Sequence, residues 1–462
     1  MAQRHIRSAV VLAAGQGSRF WPYAVVRQKA AFPIGNVPNV RRIVEDLAAL
    51  GIARIVVVVG HGEASVRAAL RPCPVEVEFV RQTELNGTAA AAMLGATLLQ
   101  EDFLVVAGDV VTARSNLAAL IESWNSSDVS ALAVVQPLGR EKPHDWLVAQ
   151  IDGGLLQGVM GHPREGEYRL TGIYALGAEM VEFLRDNPGI MHQVSVGAMP
   201  VMEAEIAQSL QMMIDEGSEV GVVETQDFLV DLDKPWHILE ANTLLINYLR
   251  QSLTESVIPA SSKIHDGAEI EGHVVLGENC TIGNRVVVRG DLWLGDGAQV
   301  LNGAIIDGPA MVGAGTVVRD YCLLGGHTTV GARGVFGHGA EFEGVALDTV
   351  YCYHYCEIWG VVGEAVDFGA ATVCGNLRFD DGNTTWRIKG RAETPTQAAN
   401  AAYFGDFSRT GVNAIIMPGR RIGVYSVLGA GVVAYEDVPD RQMVTVKQEL
   451  ATRPWGPERY GW

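Results

Sequence analysis

The chain has 462 residues, 48% of them hydrophobic, and a formal charge of −18 at neutral pH. That length allows two or three domains, and an acidic chain without a basic tract suits neither nucleic acid nor anionic lipid, so no nucleic-acid or membrane partner is expected. No apolar run approaches the roughly 18 residues of a membrane span, residues 1–11 lack the layout of a signal peptide, and the six cysteines show no C-x-x-C spacing, which predicts a cytoplasmic protein with reduced, structural thiols.

The first 230 residues alternate strand-like and helix-like segments. IRSAVVLAA, IARIVVVVG, VEVEFV and DFLVVAGDV read as strands, with helices expected around residues 38–51, 63–70 and 88–100. This alternation predicts an α/β, Rossmann-like domain with a mostly parallel sheet over residues 1–234, in which ligands gather at the carboxyl ends of strands.

The first strand runs into LAAGQGSRFWPYAVVRQK, residues 12–29. Gly15 and Gly17 let the backbone approach a polyphosphate and aim N–H groups at it, while Arg19 and Lys29 supply cations. A strand, two glycines, Arg19, Pro22 and Lys29 at these offsets together resemble the signature of the sugar-phosphate nucleotidyltransferases, which join a nucleoside triphosphate to a sugar 1-phosphate and release pyrophosphate. The resemblance implies catalytic roles for Arg19, Lys29 and Asp109, and a nucleotide site formed by Leu12, Ala13, Ala14, Gly15, Gly17, Gln82, Gly87 and Thr88. Gln82 can offer both a donor and an acceptor to a base edge. Read locally, Thr88 could equally cap the helix that it begins.

Asp109, at the end of VVAGDVV, matches the family's metal-binding aspartate, and VDLDKPWHILEAN places Asp231 as the second carboxylate for Mg²⁺, with Asp233 near enough to leave that choice open. The sugar-phosphate site is expected at His162, Thr171 and Gly172. Thr171-Gly172-Ile173-Tyr174 keeps the family pattern, but His162 stands where a phosphate-holding lysine is common, and an imidazole is only partly protonated near neutral pH.

Residues 235–253, with apolar positions at Trp236, Ile238, Leu239, Ala241, Leu244, Leu245 and Leu249, predict an amphipathic helix in a linker over 235–256. Beyond it, fourteen apolar residues stand six apart from Ile264 to Phe342. At this composition chance would fill those positions only about once in 10⁴ to 10⁵ tries. A period of six suits a coil with three flat faces. It resembles the left-handed parallel β-helix of the hexapeptide acyltransferases, expected over 257–438 and packed as a homotrimer. Glycines directly after the aliphatic positions, such as Gly277, Gly295 and Gly313, read as corners needing backbone freedom. The register breaks after Phe342 and resumes near Phe404. Residues 376–402 are expected to project as a loop, and 439–462 to form a tail packed on a neighbouring surface.

Both halves together resemble the bifunctional N-acetylglucosamine 1-phosphate uridylyltransferases and glucosamine 1-phosphate acetyltransferases, archaeal-type members most, through GNLRFDD, IKGR and FGDFSRTGVNAIIMPGRRIG. That likeness implies an acetyl-CoA site at His354, Asn376 and Lys389. Glu343 and Glu357 replace a lysine and a tyrosine of the pattern, so acetyl transfer is expected to be absent or very slow. Two other readings of the whole chain follow from the same likeness: a fully bifunctional enzyme, and a regulatory or scaffold protein of this architecture.

Overall fold

The computed structural model describes residues 4–73, 75–139, 141, 143–160, 165–189 and 203–459. A nine-stranded sheet forms the first half, and the four strands on one side of it are parallel: Ser8–Ala13 pairs with Arg54–Val59 on one side and Phe103–Ala107 on the other. Val77–Arg81 extends it beyond Arg54–Val59, again in parallel. Tyr168–Leu176 enters antiparallel beside Phe103–Ala107 and pairs with Ala131–Pro137 across a bulge between Leu170 and Tyr174. This antiparallel strand is the fifth of nine, so the sheet is parallel on one side of it and mixed from the middle onward.

Helices α1 (Asn39–Ala49), α2 (Glu63–Ala69) and α3 (Thr88–Leu99) lie where the periodicity predicts them. Two apolar clusters, one on each sheet face, bury alternate residues of the central strand: Ala9 and Val11 on one, Val10 on the other. Both faces are covered, which is why the central strands read as continuous aliphatic runs rather than alternating ones. Helix α4 (Arg114–Asn125) follows the short strand Val110–Thr112, and α5 (Met180–Arg185) and α6 (Ile206–Asp215) pack beside α3.

The second half is a parallel β-helix. Lys263 pairs with Thr281 and Thr281 with Gln299, so one coil is eighteen residues, three repeats of six. The predicted inward positions from Leu276 to Phe342 are all buried, and only Ile264 and Ile270, at the open end, are partly covered. The glycines after them act differently from the expectation. Gly295, Gly313 and Gly331 do not have positive φ; a Cβ on each would lie 2.5–2.6 Å from the backbone of the next coil. They permit close stacking, while the left-handed conformation falls two residues later, at Asn279, Gly297 and Gly315.

The break in register after Phe342 has a local cause. Glu341–Ala346 runs as one six-residue strand, so Phe342 and Ala346 both point inward only four residues apart, and it pairs with Glu357–Val362 sixteen residues on. Gly344 (φ +124°) stacks on Gly360 (φ +145°), where a Cβ on Gly344 would lie 2.1 Å from the Gly360 carbonyl. Only glycine fits such a corner.

Leu377 and Phe379 stand exposed as expected of a projecting loop, but the segment from Thr384 onward does not project. Trp386–Ile388 and Arg391–Glu393 form a hairpin that folds back, with Trp386 buried between Trp236 (ring centroids 5.0 Å) and Tyr403 (4.8 Å). The tail expectation also changes, because Met443–Val444 adds one more strand beside Val427–Leu428, while residues beyond 445 stay largely exposed rather than packed. Among the described residues no helix is long and apolar enough to cross a membrane, and all six cysteines are free thiols.

Helix α7 (His237–Gln251) joins the halves rather than merely linking them. Asn242 Oδ1 accepts from Gly35 N and from Thr329 Oγ1, and its Nδ2 donates to the His327 carbonyl. Arg250 pairs with Asp291 at 2.7 Å.

Candidate active site

Leu12 and Ala13 end the Ser8–Ala13 strand, Ala14 follows it, and residues 15–19 form a largely exposed loop. Among the described residues no backbone N–H from Gly15 to Arg19 donates to another protein group. A Cβ on Gly15 would meet nothing within 4 Å, whereas Gly17 has φ +61° and would bring a Cβ within 3.2 Å of Ala24. The loop is thus a cradle of unspent donors facing open space.

The rest of the signature has another task. Phe20, Tyr23 and Phe32 pack edge to face and join an apolar cluster with Val361 and Tyr403 of the β-helix, to which Tyr23 Oη also donates (Val361 carbonyl, 2.8 Å). Arg27 is paired with the fully buried Asp406 and, at 3.3 Å, with Glu364. Residues 20–27 dock the second domain while Arg19 and Lys29, on either side, stay at the cradle.

Two strands bring the carboxylates together. Leu229–Asp231 pairs antiparallel with Val110–Thr112 so that Asp231 lies opposite Val110, and Leu232 N donates to the Asp109 carbonyl. Asn39 holds the turn before Asp109 by donating to the carbonyls of Gly108 and Val110. Lys29 Nζ then sits 2.7 Å from Asp109 Oδ2 and 3.9 Å from Asp231 Oδ1. Burial alone would lower the Lys29 pKa, but Asp109, Asp231 and Asp233 outweigh it and raise it, so the side chain stays charged.

Burial, together with Asp109 and Asp233, lifts Asp231 to about 6, and its Oδ1 is buried with no hydrogen-bond partner. Asp233 is differently committed: it pairs with Arg19 at 2.9 Å and with Lys234 at 3.5 Å, and although burial raises its pKa, Lys29, Arg19 and Lys234 hold it below the usual carboxylate range. Of the two, Asp231 keeps an oxygen without a hydrogen-bond partner, while Asp233 is engaged by Arg19 and Lys234. An orphaned hard oxygen beside Asp109 fits Mg²⁺, which takes one or two carboxylates and completes its shell with phosphate and water.

The remaining expected residues separate. Gln82 is buried and its amide nitrogen donates to Asn86 Oδ1 (3.0 Å) and to the Gly87 carbonyl (3.2 Å), so its donor is spent inside the loop. Gly87 has φ +112° and lies so close to Ala204 that a Cβ would sit 2.3 Å from its carbonyl. Thr88 does not cap its own helix; it donates to Glu205 at 2.6 Å and accepts from Ile206 N, tying α3 to the start of α6. Thr171 Oγ1 donates into the sheet, to the Val134 carbonyl, while Gly172 (φ +82°) would bring a Cβ within 3.0 Å of Ala107, beside the turn to Asp109. His162, with Gly161 and Pro163, lies outside the described residues.

Sequence reasoning missed three cations and a carboxylate. Lys234, adjacent to Asp233 in VDLDKPW, was visible as a charge but not as a neighbour of Arg19. Arg169, 3% exposed, donates to Gln136, pairs with Glu141 at 3.3 Å and lies over Trp146 at 3.8 Å. Arg27 looked like part of the phosphate signature. Glu393, from the hairpin of the second domain, reaches Lys234 at 2.6 Å and carries no local signal at all.

The description "Nucleotidyl transferase" matches residues 8–245, just over half of the chain. The chain belongs to the nucleotidyl transferase family. Residues 255–290 match the bacterial transferase hexapeptide repeat. The chain is 29% identical over 450 residues to a bifunctional protein GlmU of Methanococcus maripaludis, covering 96% of this chain and 98% of the relative. It is 26% identical over 439 residues to a bifunctional sugar-1-phosphate nucleotidylyltransferase/acetyltransferase of Sulfurisphaera tokodaii, covering 93% and 98%. Among solved structures, UDP-glucose pyrophosphorylase of Acinetobacter baumannii aligns at TM-score 0.45 and 20% identity, over 54% of this chain and 94% of that one.

On the β-helix the expected acetyltransferase residues His354 and Asn376 have different neighbours. His354 Nδ1 is 2.7 Å from His338 Nδ1, and Tyr355 Oη is 3.2 Å from His338 Nε2. Among the described residues no hydrogen bond or ion pair joins His354 to Asn376 or Lys389. Asn376 instead lines a recess of about 510 Å³ whose walls include Glu341, Glu343 and Glu357.

Proposed function

We propose that the chain transfers a nucleotidyl group from a nucleoside triphosphate to a sugar 1-phosphate and releases pyrophosphate, with Mg²⁺ required. The observation that carries this reading is Lys29 held between Asp109 and Asp231 beside a loop of unspent N–H groups. A sugar phosphate oxygen attacks the α-phosphorus in line. The residue 15–19 amides and Arg19 hold the triphosphate, and Lys29 stays charged beside the reacting phosphorus while orienting Asp109. Asp109 and Asp231 would hold the metal, whose contribution is neutralising developing phosphate charge. The two relatives' names, a GlmU and a sugar-1-phosphate nucleotidylyltransferase, support the acceptor class. Pyrophosphate release from a panel of nucleoside triphosphates and sugar 1-phosphates tests it; no release with any pair sinks it.

The β-helix is assigned to trimer formation in a cytoplasmic protein. Tyr321, Tyr355, Phe407 and Tyr425 stand exposed at left-handed corner positions, Phe407 and Tyr425 stacked at 4.8 Å, as rings that an interface would cover. Light scattering at the monomer mass at micromolar concentration would refute this. A bifunctional reading is supported by the names of both relatives and by the Tyr355–His338–His354 chain, which could orient His354 as a base. Against it stand the carboxylates of Glu343 and Glu357, which would repel the phosphates of acetyl-CoA and a sugar phosphate.

A further inference from the structure

A cavity of about 650 Å³ opens where the first domain, α7 and the β-helix meet. Glu141, Glu240 and Glu343 reach it from three different regions, and Trp146, Trp236 and Trp359 supply indole surface between them. Its charge is one-sided. The lysine and the arginine on its wall are already engaged, Lys234 with Glu393 and Arg391 with Asp145. Among the described residues neither Glu240 nor Glu343 has an ion-pair partner. One face of Trp146 is taken by Arg169 and one of Trp236 by Lys234, which leaves Trp359, beside Glu343, as the open ring. Thr243, Thr394 and Thr396 add hydroxyls to the lining.

A phosphate group would meet carboxylates without ion-pair partners here, Glu343 holding only a hydrogen bond from Trp359, so nucleotide, sugar 1-phosphate and acetyl-CoA are all disfavoured. The same walls favour the opposite ligand. We propose that this cavity binds a small organic cation, a primary ammonium on a hydroxylated body of about hexose size, and that its occupancy alters nucleotidyl transfer. The ammonium lies between Glu240 and Glu343, the ring stacks on Trp359, and the threonines bond its hydroxyls. Burial raises the pKa of Glu240 and of Glu343, so both carry a desolvation cost that a bound cation offsets.

Communication with the first domain is short. Glu393 on the cavity wall pairs with Lys234, Lys234 contacts Asp233, and Asp233 holds Arg19 at the phosphate cradle. A cation bound between Glu240 and Glu343 repels Lys234 on the same lining, shifts it toward Asp233 and weakens the hold on Arg19. This coupling rests on the nucleotidyl transfer reading; the binding does not.

Binding is measured on the full chain by tryptophan fluorescence and calorimetry at pH 7.5, with free glucosamine as the probe and glucose as the uncharged control. Glucosamine is expected to saturate, glucose not to bind, and the E240Q/E343Q double variant to weaken glucosamine at least about tenfold. Equal responses to glucose and glucosamine, no saturation at millimolar glucosamine, or unchanged affinity in a folded E240Q/E343Q variant would each overturn the site. Pyrophosphate release is then followed with and without glucosamine. A glucosamine-dependent change in kcat that E240Q/E343Q abolishes supports the coupling, and saturable binding with unchanged kcat overturns the coupling alone. Since binding is read without turnover, the cavity is tested even in a protein that releases no pyrophosphate.

Discussion

At the carboxyl end of the Ser8–Ala13 strand, Asp109, Asp231 and Asp233 meet Arg19, Lys29 and Lys234, and the positions of the six are set by one another. On the β-helix, the carboxylates at 341, 343 and 357 line a recess with no cation among its described lining residues, and the histidine pair is bonded to neither Asn376 nor Lys389 among the described residues. Both regions carry polar side chains on regular scaffolds. The first has opposite charges interleaved, so it is ordered before substrate arrives and can neutralise a phosphate; the second would have to import its cations. A family resemblance that runs through both halves therefore carries different weight in each.

The largest effect should come from breaking the first region. Arg19→Ala, Lys29→Ala or Asp109→Ala should each lower kcat/KM for pyrophosphate release by at least about a hundredfold, because each removes a charge contact that strengthens in the transition state. Near-normal turnover in all three would make the two regions equivalent.

Next in size is the seam between them. Trp386→Ala empties a site between Trp236 and Tyr403 and should cost about 3 kcal/mol or more in denaturant unfolding, with earlier proteolysis of the 376–402 segment. An unchanged cleavage pattern would mean that the hairpin is not anchored there.

Acid separates the groups more gently. Burial lowers His237 to about 3, below its ordinary value near 6.5, so the unfolded chain binds its proton first and stability falls as pH drops from about 6.5 toward 3. Asp231, raised to about 6, runs the other way: the folded state takes its proton first, and stability rises as pH falls from about 6 to 4. His237→Gln removes only the first contribution, so its melting temperature should decline less than that of the parent between pH 6.5 and 4. An identical decline would show that His237 is not held neutral.

The smallest effect sharpens the comparison from the other side. His354→Ala should leave pyrophosphate release within about twofold, and release of free CoA from acetyl-CoA and glucosamine 1-phosphate should stay well below about 1 s⁻¹ in the parent. Rapid CoA release that His354→Ala abolishes would restore the bifunctional reading.

Local pattern carried what depends on local pattern. The six-residue register was legible because every inward side chain of a coil occupies the same environment, and the aliphatic runs were legible because a strand covered on both faces tolerates nothing else. Glycine was read correctly as required and wrongly as to why: close stacking of backbones leaves the same residue as a left-handed turn, and only coordinates distinguish them. The shortened coil at Gly344 and Gly360 appeared in the sequence only as a lost period.

The cradle was legible for a related reason. Gly15, Gly17, Arg19 and Lys29 lie within fifteen residues, so chain geometry alone keeps them together. What the tertiary structure decided lies across larger separations. The ladder of Leu229–Asp231 on Val110–Thr112 brought Asp231 beside Asp109, the docking of Tyr23 and Arg27 took the middle of the signature out of the cradle, and the hairpin carried Glu393 to Lys234. Those partners are selected by packing and burial between distant segments, where a single carboxylate or cation has no periodicity to betray it.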